Sequence, residues 1–430
     1  MKQLLFTFAI TILFLPIFLF NIDCNSLVRP LDGTIEEVSK PAYSKRLWFN
    51  GIYQEQLEKY VQSSLPGRDF FVRLVNSWRY ILFHQTNVKN VLVGKSDVLY
   101  QDFYVDALLG RDLVDRKKII EDVRKFKVIQ DSLLQNGKLF LLVIAPGKPS
   151  VYPEFLPDSF FLDNITQSNY SMYVNELKSK GCFFIDARNW FIELKSNSKY
   201  PLFPKNGTHW SGHTVPVLMD SIARFVEAKV NFELDDFNIS PGVIENSDFR
   251  FTDNDIGKTL NLLHEPSQWS LTYPLVKFET TGNKKPQLLS IGDSFNQSFW
   301  GFYPFFKMLF GVNTQQWYYN KLIAYPDDLE RKMIEVKKLD IYSEVMSRDI
   351  ILIVSTEQNL NNFCFEFTDQ FYPYAEFGLQ RFGNRKDEYI FKIKSDSSWM
   401  NQVRLKATTA GIPLDTMIQL DANWMVLNAK

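Results

Sequence analysis

The stretch LLSIGDSFNQSF, residues 288–299, decides how the rest of the chain is read. It opens as an apolar run of strand length, breaks at Gly292-Asp293-Ser294, and resumes with helical character. A continuous apolar run is the mark of a strand buried on both faces, as in a parallel sheet. Glycine permits a tight turn at its end. Ser294 then stands at a strand-to-helix corner, its hydroxyl at the sheet edge and helix amides close enough to stabilise an oxyanion. A bare Gly-Asp-Ser also occurs where the aspartate or serine only caps a helix. Its position directly after a buried strand favours the chemical reading.

Runs of the same kind recur on both sides: KLFLLVIAP (138–146), CFFIDA (182–187) and DIILIVSTEQ (349–358). Between them lie segments with helical spacing. One covers 114–136 and stops at Gly137, one covers 168–180 and ends at Gly181, and one covers 212–228. A Phe-rich helix is predicted after Ser294. Strands alternating with helices predict an α/β fold with a doubly wound parallel sheet. Ligands in such sheets bind at the carboxyl ends of the strands. That rule singles out Pro146-Gly147-Lys148, Asp186, Gly292-Asp293-Ser294 and Ser355-Thr356-Glu357. Upstream, 53–83 reads as two helices broken at Leu65-Pro66-Gly67, and 88–100 as a hairpin turning on Gly94-Lys95-Ser96-Asp97. Downstream, 397–427 reads as two helices around Gly411-Ile412-Pro413, a cap on the body.

The composition narrows the class. Among 430 residues, 45% are hydrophobic and 23% charged, with a net charge of -1, and nothing in this balance suggests a basic surface made for nucleic acid. The three cysteines, Cys24, Cys182 and Cys364, form no C-x-x-C pair, which argues against a zinc or thioredoxin-like site. Cys182 and Cys364 sit beside apolar residues and read as buried small hydrophobes, with one disulfide between them left open. At the N-terminus, Lys2 precedes an apolar run over 4–20, on the border between a signal-peptide core and a membrane span. Asn21-Ile22-Asp23-Cys24 offers no small-x-small cleavage site. The expectation is an uncleaved single-pass anchor with the body on the periplasmic side of the membrane. The alternative is a cleaved signal and a body secreted to the periplasm.

A serine nucleophile needs a base, most often histidine. The chain has four: His84, His209, His213 and His264. His209 lies in PLFPKNGTHWSGHT (201–214), a loop bounded by Pro204, Gly207 and Gly212 just before a helix. His213 follows four residues later, but Trp210 stands where a metalloprotease helix would carry glutamate, so no metal site is expected.

Together, Gly292-Asp293-Ser294-Phe295 and Thr208-His209-Trp210-Ser211 resemble the SGNH-hydrolase-like domain of the alginate O-acetyltransferases (AlgX/AlgJ type), in which the histidine motif precedes the serine motif. VLVGKSDVLYQDF (91–103), IAPGKPSVYPEFLP (144–157), DNDIGKTLNL (253–262) and ILIVSTEQNL (351–360) agree with it. The resemblance covers roughly residues 45 to 395. It implies acetyl transfer onto an extracellular or cell-envelope polysaccharide, with no cofactor. Ser294 would be acetylated, His209 would act as general base and acid, and a membrane-bound O-acyltransferase would be the donor partner. Gly292, Trp210, Thr356, Glu357 and Asn359 would face the oxyanion or substrate. The implied organisation is a membrane anchor or signal segment at 1–22, linker and helices at 23–88, the SGNH-like catalytic domain at 89–395 and a helical cap at 396–430. One position departs from the family pattern Asp-x-His-Trp: the orienting aspartate is replaced by Gly207. Loss of that carboxylate can cost about 10⁴-fold in rate in serine proteases. Asp186 and Asp293 are the candidates to replace it, a Ser-His dyad is a second solution, and a non-catalytic binding protein or an acetyl esterase are the alternative functions.

Overall fold

The computed structural model describes residues 2–19, 29–33, 38–65, 67–161, 167–230, 232–282, 284–326 and 331–428. The chain forms two compact units. The first comprises residues 1–100, 205–207 and 254–268, and the second 101–204, 208–253 and 269–430. The units thus part near Tyr100, beyond the 88/89 boundary drawn from the sequence, and the first also takes in two distant segments.

In the first unit a helix forms over Lys2–Leu19. Among the described residues, no helix is long and apolar enough to cross a membrane. Asn21-Ile22-Asp23-Cys24, where a cleavage site was sought, lies outside the described residues. Helices Ile52–Ser64 and Arg68–Phe83 flank the expected break at Leu65 and Gly67. Strands β1 (Val91–Val93) and β2 (Leu99–Gln101) make the expected hairpin. Tyr80, Leu99, Ile256, Leu260 and Leu262 form this unit's small core.

The second unit is built on one sheet. Its strands are β3 (Leu139–Ala145), β4 (Phe184–Asp186), β7 (Leu288–Gly292), β8 (Gln315–Tyr318), β9 (Leu322–Ala324), β10 (Ile334–Glu335) and β11 (Ile350–Thr356), in the order β10-β9-β8-β7-β11-β3-β4. A separate hairpin pairs β5 (Asp236–Glu245) with β6 (Leu271–Glu279). The four strands anticipated from apolar runs are parallel neighbours, and β8 joins them in parallel. The sheet is nonetheless mixed, not wholly parallel, because β9 and β10 run antiparallel. The reason is local. Only Tyr319-Asn320-Lys321 connects β8 to β9, and Tyr319 and Asn320 have φ of 51° and 55°. So short a turn with left-handed central residues closes a hairpin, whereas a parallel neighbour needs a long crossover.

Every residue of β3 is buried, and successive side chains enter opposite faces of the sheet as its pleat requires. Phe140, Leu142 and Ile144 enter one core with Phe126 and Ile129 of the helix Arg116–Gln135. Leu139, Leu141 and Val143 enter the other with Leu218 and Ile222 of the helix Thr214–Lys229. Both faces are therefore covered. The Phe-rich helix expected after Ser294 is instead a 3₁₀ turn, Ser294–Gln297, and two short helices, Ser298–Gly301 and Phe305–Leu309, interrupted by Pro304. The C-terminal helices Ser397–Ala410 and Leu414–Asn428 pack with Leu379–Ser395 around Ile393, Val403 and Ile418. Cys182 and Cys364 are buried free thiols, so the disulfide left open by the sequence is not formed.

Candidate active site

Strand register sets the serine turn. β11 pairs with β7 from Ile350↔Leu288 to Val354↔Gly292, so Thr356 runs two residues past the end of β7 and sits beside Asp293. Gly292 is required by close approach: a Cβ there would lie 2.6 Å from the Val354 carbonyl oxygen and 2.9 Å from Asn296 Cβ. Asp293 is 1% exposed and fully bonded. Its Oδ1 accepts from Phe295 N at 2.9 Å, capping the 3₁₀ turn. Its Oδ2 accepts from Thr356 N at 3.1 Å, Thr356 Oγ1 at 2.7 Å and Asn359 Nδ2 at 2.6 Å. Burial pushes the Asp293 carboxyl above the usual carboxylate range, and these hydrogen bonds pull against it. Ser294 is left half-buried at the corner.

The histidine loop is held differently. His209 and Trp210 lie between Phe203 and the helix Thr214–Lys229. Trp210 is wholly buried, its ring against Phe295 (5.1 Å), Phe299 (5.7 Å) and Phe191 (6.0 Å). It anchors the loop from beneath and does not take the substrate-facing place expected of it. Ser211 N donates to Leu202 O and Ser211 Oγ to Pro201 O. Gly212 N donates to Asp253 Oδ2 at 3.3 Å, and Tyr303 OH donates to Gly212 O at 3.1 Å. Gly212 packs so closely that a Cβ would meet the Tyr273 ring at 2.7 Å.

These two supports bring His209 Nε2 to 2.8 Å from Ser294 Oγ. His209 is 7% exposed, and its ring lies 4.8 Å from that of Phe295. An imidazole nitrogen at this distance can take the hydroxyl proton as the oxygen attacks a carbonyl.

The other candidates are placed as follows. Asp186 caps the helix Ala187–Lys195 through Asn189 N and accepts from Tyr170 OH at 2.9 and 3.0 Å. Asp186 and Asp293 thus each hold their own element in place, which is not the orienting role expected of them. Thr356 and Asn359 spend their donors on Asp293, so they support the serine turn and do not present those groups to a substrate. Glu357 accepts from Arg188 Nε at 2.6 Å and from Gly147 N at 2.7 Å, tying the end of β11 to the Pro146-Gly147-Lys148 loop. Sequence reasoning missed Asp253 as a support of the histidine loop. Its signal was present, since DNDIGKTLNL was among the stretches carrying the resemblance.

The chain is 23% identical over 186 residues to the probable alginate O-acetylase AlgJ of Pseudomonas syringae pv. tomato, a match covering 43% of this chain and 45% of that one. It therefore spans about half the length of the curated relative it matches. Among solved structures, the O-acetyltransferase domain of Pseudomonas putida AlgJ is similar at 16% identity, with a TM-score of 0.42, covering 67% of this chain and 99% of that one. Pseudomonas aeruginosa AlgX is similar at 13% identity, with a TM-score of 0.43, covering 66% and 69%. Residues 91–314, just over half of the chain, match the family described as the SGNH hydrolase-like domain of the acetyltransferase AlgX, and the chain belongs to that family.

Proposed function

We propose that this protein transfers acetyl groups onto hydroxyls of an extracellular or cell-envelope polysaccharide through a Ser294–His209 pair. The observation that carries the reading is the 2.8 Å contact between His209 Nε2 and Ser294 Oγ at the carboxyl end of a buried parallel strand. Ser294 Oγ attacks the acetyl carbonyl while His209 takes its proton. Collapse expels the donor's alkoxide, which leaves with that proton, and acetyl-Ser294 remains. An acceptor hydroxyl then attacks the acetyl carbonyl, gives its proton to His209, and the imidazole returns it to Ser294 Oγ. Phe295 N and Asn296 N are bonded to Asp293, which leaves the Ser294 amide as the turn's donor for the tetrahedral oxyanion. The donor partner is a membrane-bound O-acyltransferase, and the apolar N-terminal segment holds the body at the outer side of the membrane.

Gly207 stands where the family pattern has aspartate. It is buried and is not among the left-handed glycines, so φ does not bar a side chain there. Gly207→Asp restores the pattern, and acetyl release should be maintained or rise, measured as kcat on p-nitrophenyl acetate. A serine-esterase reagent should label Ser294, located by peptide mass spectrometry, and Ser294→Ala should fold yet release no acetyl. Normal acetyl release by Ser294→Ala would overturn the reading. An acceptor oligosaccharide gaining mass as acetyl distinguishes transfer from hydrolysis.

A further inference from the structure

We infer that a cavity at the carboxyl edge of the same sheet is a sugar subsite, binding one or two pyranose units of the acceptor chain; this rests on the polysaccharide reading above. The cavity has a volume of about 720 Å³, and its walls include Tyr319, Asn320, Phe365, Glu366, Gln370 and Tyr374. That volume falls within the range of roughly 300–1,000 Å³ typical of small-molecule sites. Its position follows from topology. Tyr319 directly follows β8, and the segment through Glu366 follows β11, the two strands flanking β7, which carries Ser294. Ligands of doubly wound sheets collect at this edge. Tyr319 joins the cavity to the serine turn: its N–H donates to Gly292 O at 2.9 Å, and its phenol is pushed up by burial and then by the Asp293 carboxylate.

The wall chemistry suits a sugar. Tyr319 and Tyr374, both partly exposed, supply apolar faces for ring C–H groups, and the buried Phe365 ring backs Tyr319 at 5.5 Å. Glu366 and Gln370, both exposed on the wall, supply donors and acceptors for hydroxyls. Asn320 is 5% exposed; its Nδ2 donates to Phe365 O and Gln370 Oε1, while its Oδ1 accepts no hydrogen bond among the described residues. The two Nδ2 bonds fasten the turn after β8 to the segment after β11 and so set the shape of the cavity wall. The backbone agrees. Cys364, Phe365 and Glu366 take φ of 51°, 55° and 63° in succession. Left-handed backbone costs non-glycine residues roughly 1–2 kcal/mol each, and such strain persists where it shapes a site.

The test is calorimetric titration of the full chain carrying Ser294→Ala, so that no chemistry intervenes. The probes are alginate oligosaccharides, acidic, and cello-oligosaccharides, neutral. One of them should bind. Adding Gln370→Trp, a bulky ring at an exposed wall position, should raise Kd about tenfold or more, and Glu366→Ala combined with Asn362→Ala, a further polar wall residue, should raise it a few-fold. Circular dichroism checks folding, and if the tryptophan variant does not fold, the double alanine variant decides. Binding of neither sugar, or unchanged Kd in the folded variants, overturns the subsite. Sugar binding by the Ser294→Ala chain, with no acetyl transferred to that sugar by the parent chain carrying Ser294, would break the functional reading and leave the subsite standing.

Discussion

The serine turn and the histidine loop meet at one hydrogen bond, yet they are built by opposite means. The serine turn is a polar construction: one buried carboxylate, Asp293, collects Phe295 N, Thr356 N, Thr356 Oγ1 and Asn359 Nδ2. The histidine loop adds an aromatic anchor, with Trp210 sunk among Phe191, Phe295 and Phe299, beside the hydrogen bonds at Ser211 and Gly212. Polar anchoring fixes direction, because hydrogen bonds weaken steeply off line. Aromatic anchoring fixes depth, because it acts through area removed from water. Phe295 serves both, since its N–H bonds Asp293 and its ring supports His209 and Trp210.

Breaking the meeting point should give the largest effect. Ser294→Ala, His209→Ala and the double variant should each lose about 10⁴-fold or more in kcat for acetyl release. The double should be little worse than either single, because groups acting as one unit are not additive. Multiplying losses would show that the two residues work independently.

Breaking the aromatic anchor comes next. Trp210→Ala should destabilise the fold by about 3–5 kcal/mol in denaturant titration, the usual result of emptying a buried aromatic site. Activity measured well below its unfolding midpoint should also fall, as His209 loses its floor. A loss under about 1 kcal/mol would mean that the loop is held by its hydrogen bonds.

Removing the polar anchor should cost less. Asp293→Ala strands several buried donors but also removes a carboxylate that burial disfavours, giving a net loss of about 2 kcal/mol. The pH dependence sharpens the test. A carboxyl raised above its unfolded value stabilises the fold fully below the unfolded pKa, and that contribution is lost as pH rises through the folded pKa. The gap between the parent and Asp293→Ala should therefore be wider at about pH 5 than at about pH 8. A gap that widens with rising pH would show that the hydrogen bonds outweigh desolvation.

The smallest effect lies far from the contact. The Cys182 thiol is pushed up to about 11 by burial, and Cys364 is pushed well above the ordinary thiol value. Neither should react with a thiol reagent at neutral pH until the protein is denatured, as mass mapping of labelled peptides would record.

Much of this was legible in the chain. The apolar runs at 138–146, 288–292 and 349–356 are buried strands, as their short length and Ile, Val and Leu content suit a sheet covered on both faces. The order of His209 before Ser294, together with the stretches around them, led to the family. Less visible was β9, because Tyr319-Asn320 carries no glycine to mark a hairpin and its left-handed φ values depend on the surrounding fold. The β5–β6 hairpin escaped for a related reason: β5 is largely exposed and carries Pro241 and Gly242 at a bulge, so no apolar alternation marks it.

Residue type and local pattern determined that Ser294 sits on a strand-to-helix corner and that His209 sits in a loop before a helix. Both follow from interactions within a few positions along the chain. That Asp293 would be bonded by Thr356 and Asn359, more than 60 positions away, that Trp210 would be buried and that Asp253 would clamp Gly212 were decided only by tertiary structure. A carboxylate or an indole carries no mark in sequence of which distant donor or ring will meet it. Its role is set by strand register and by which faces the sheet brings together.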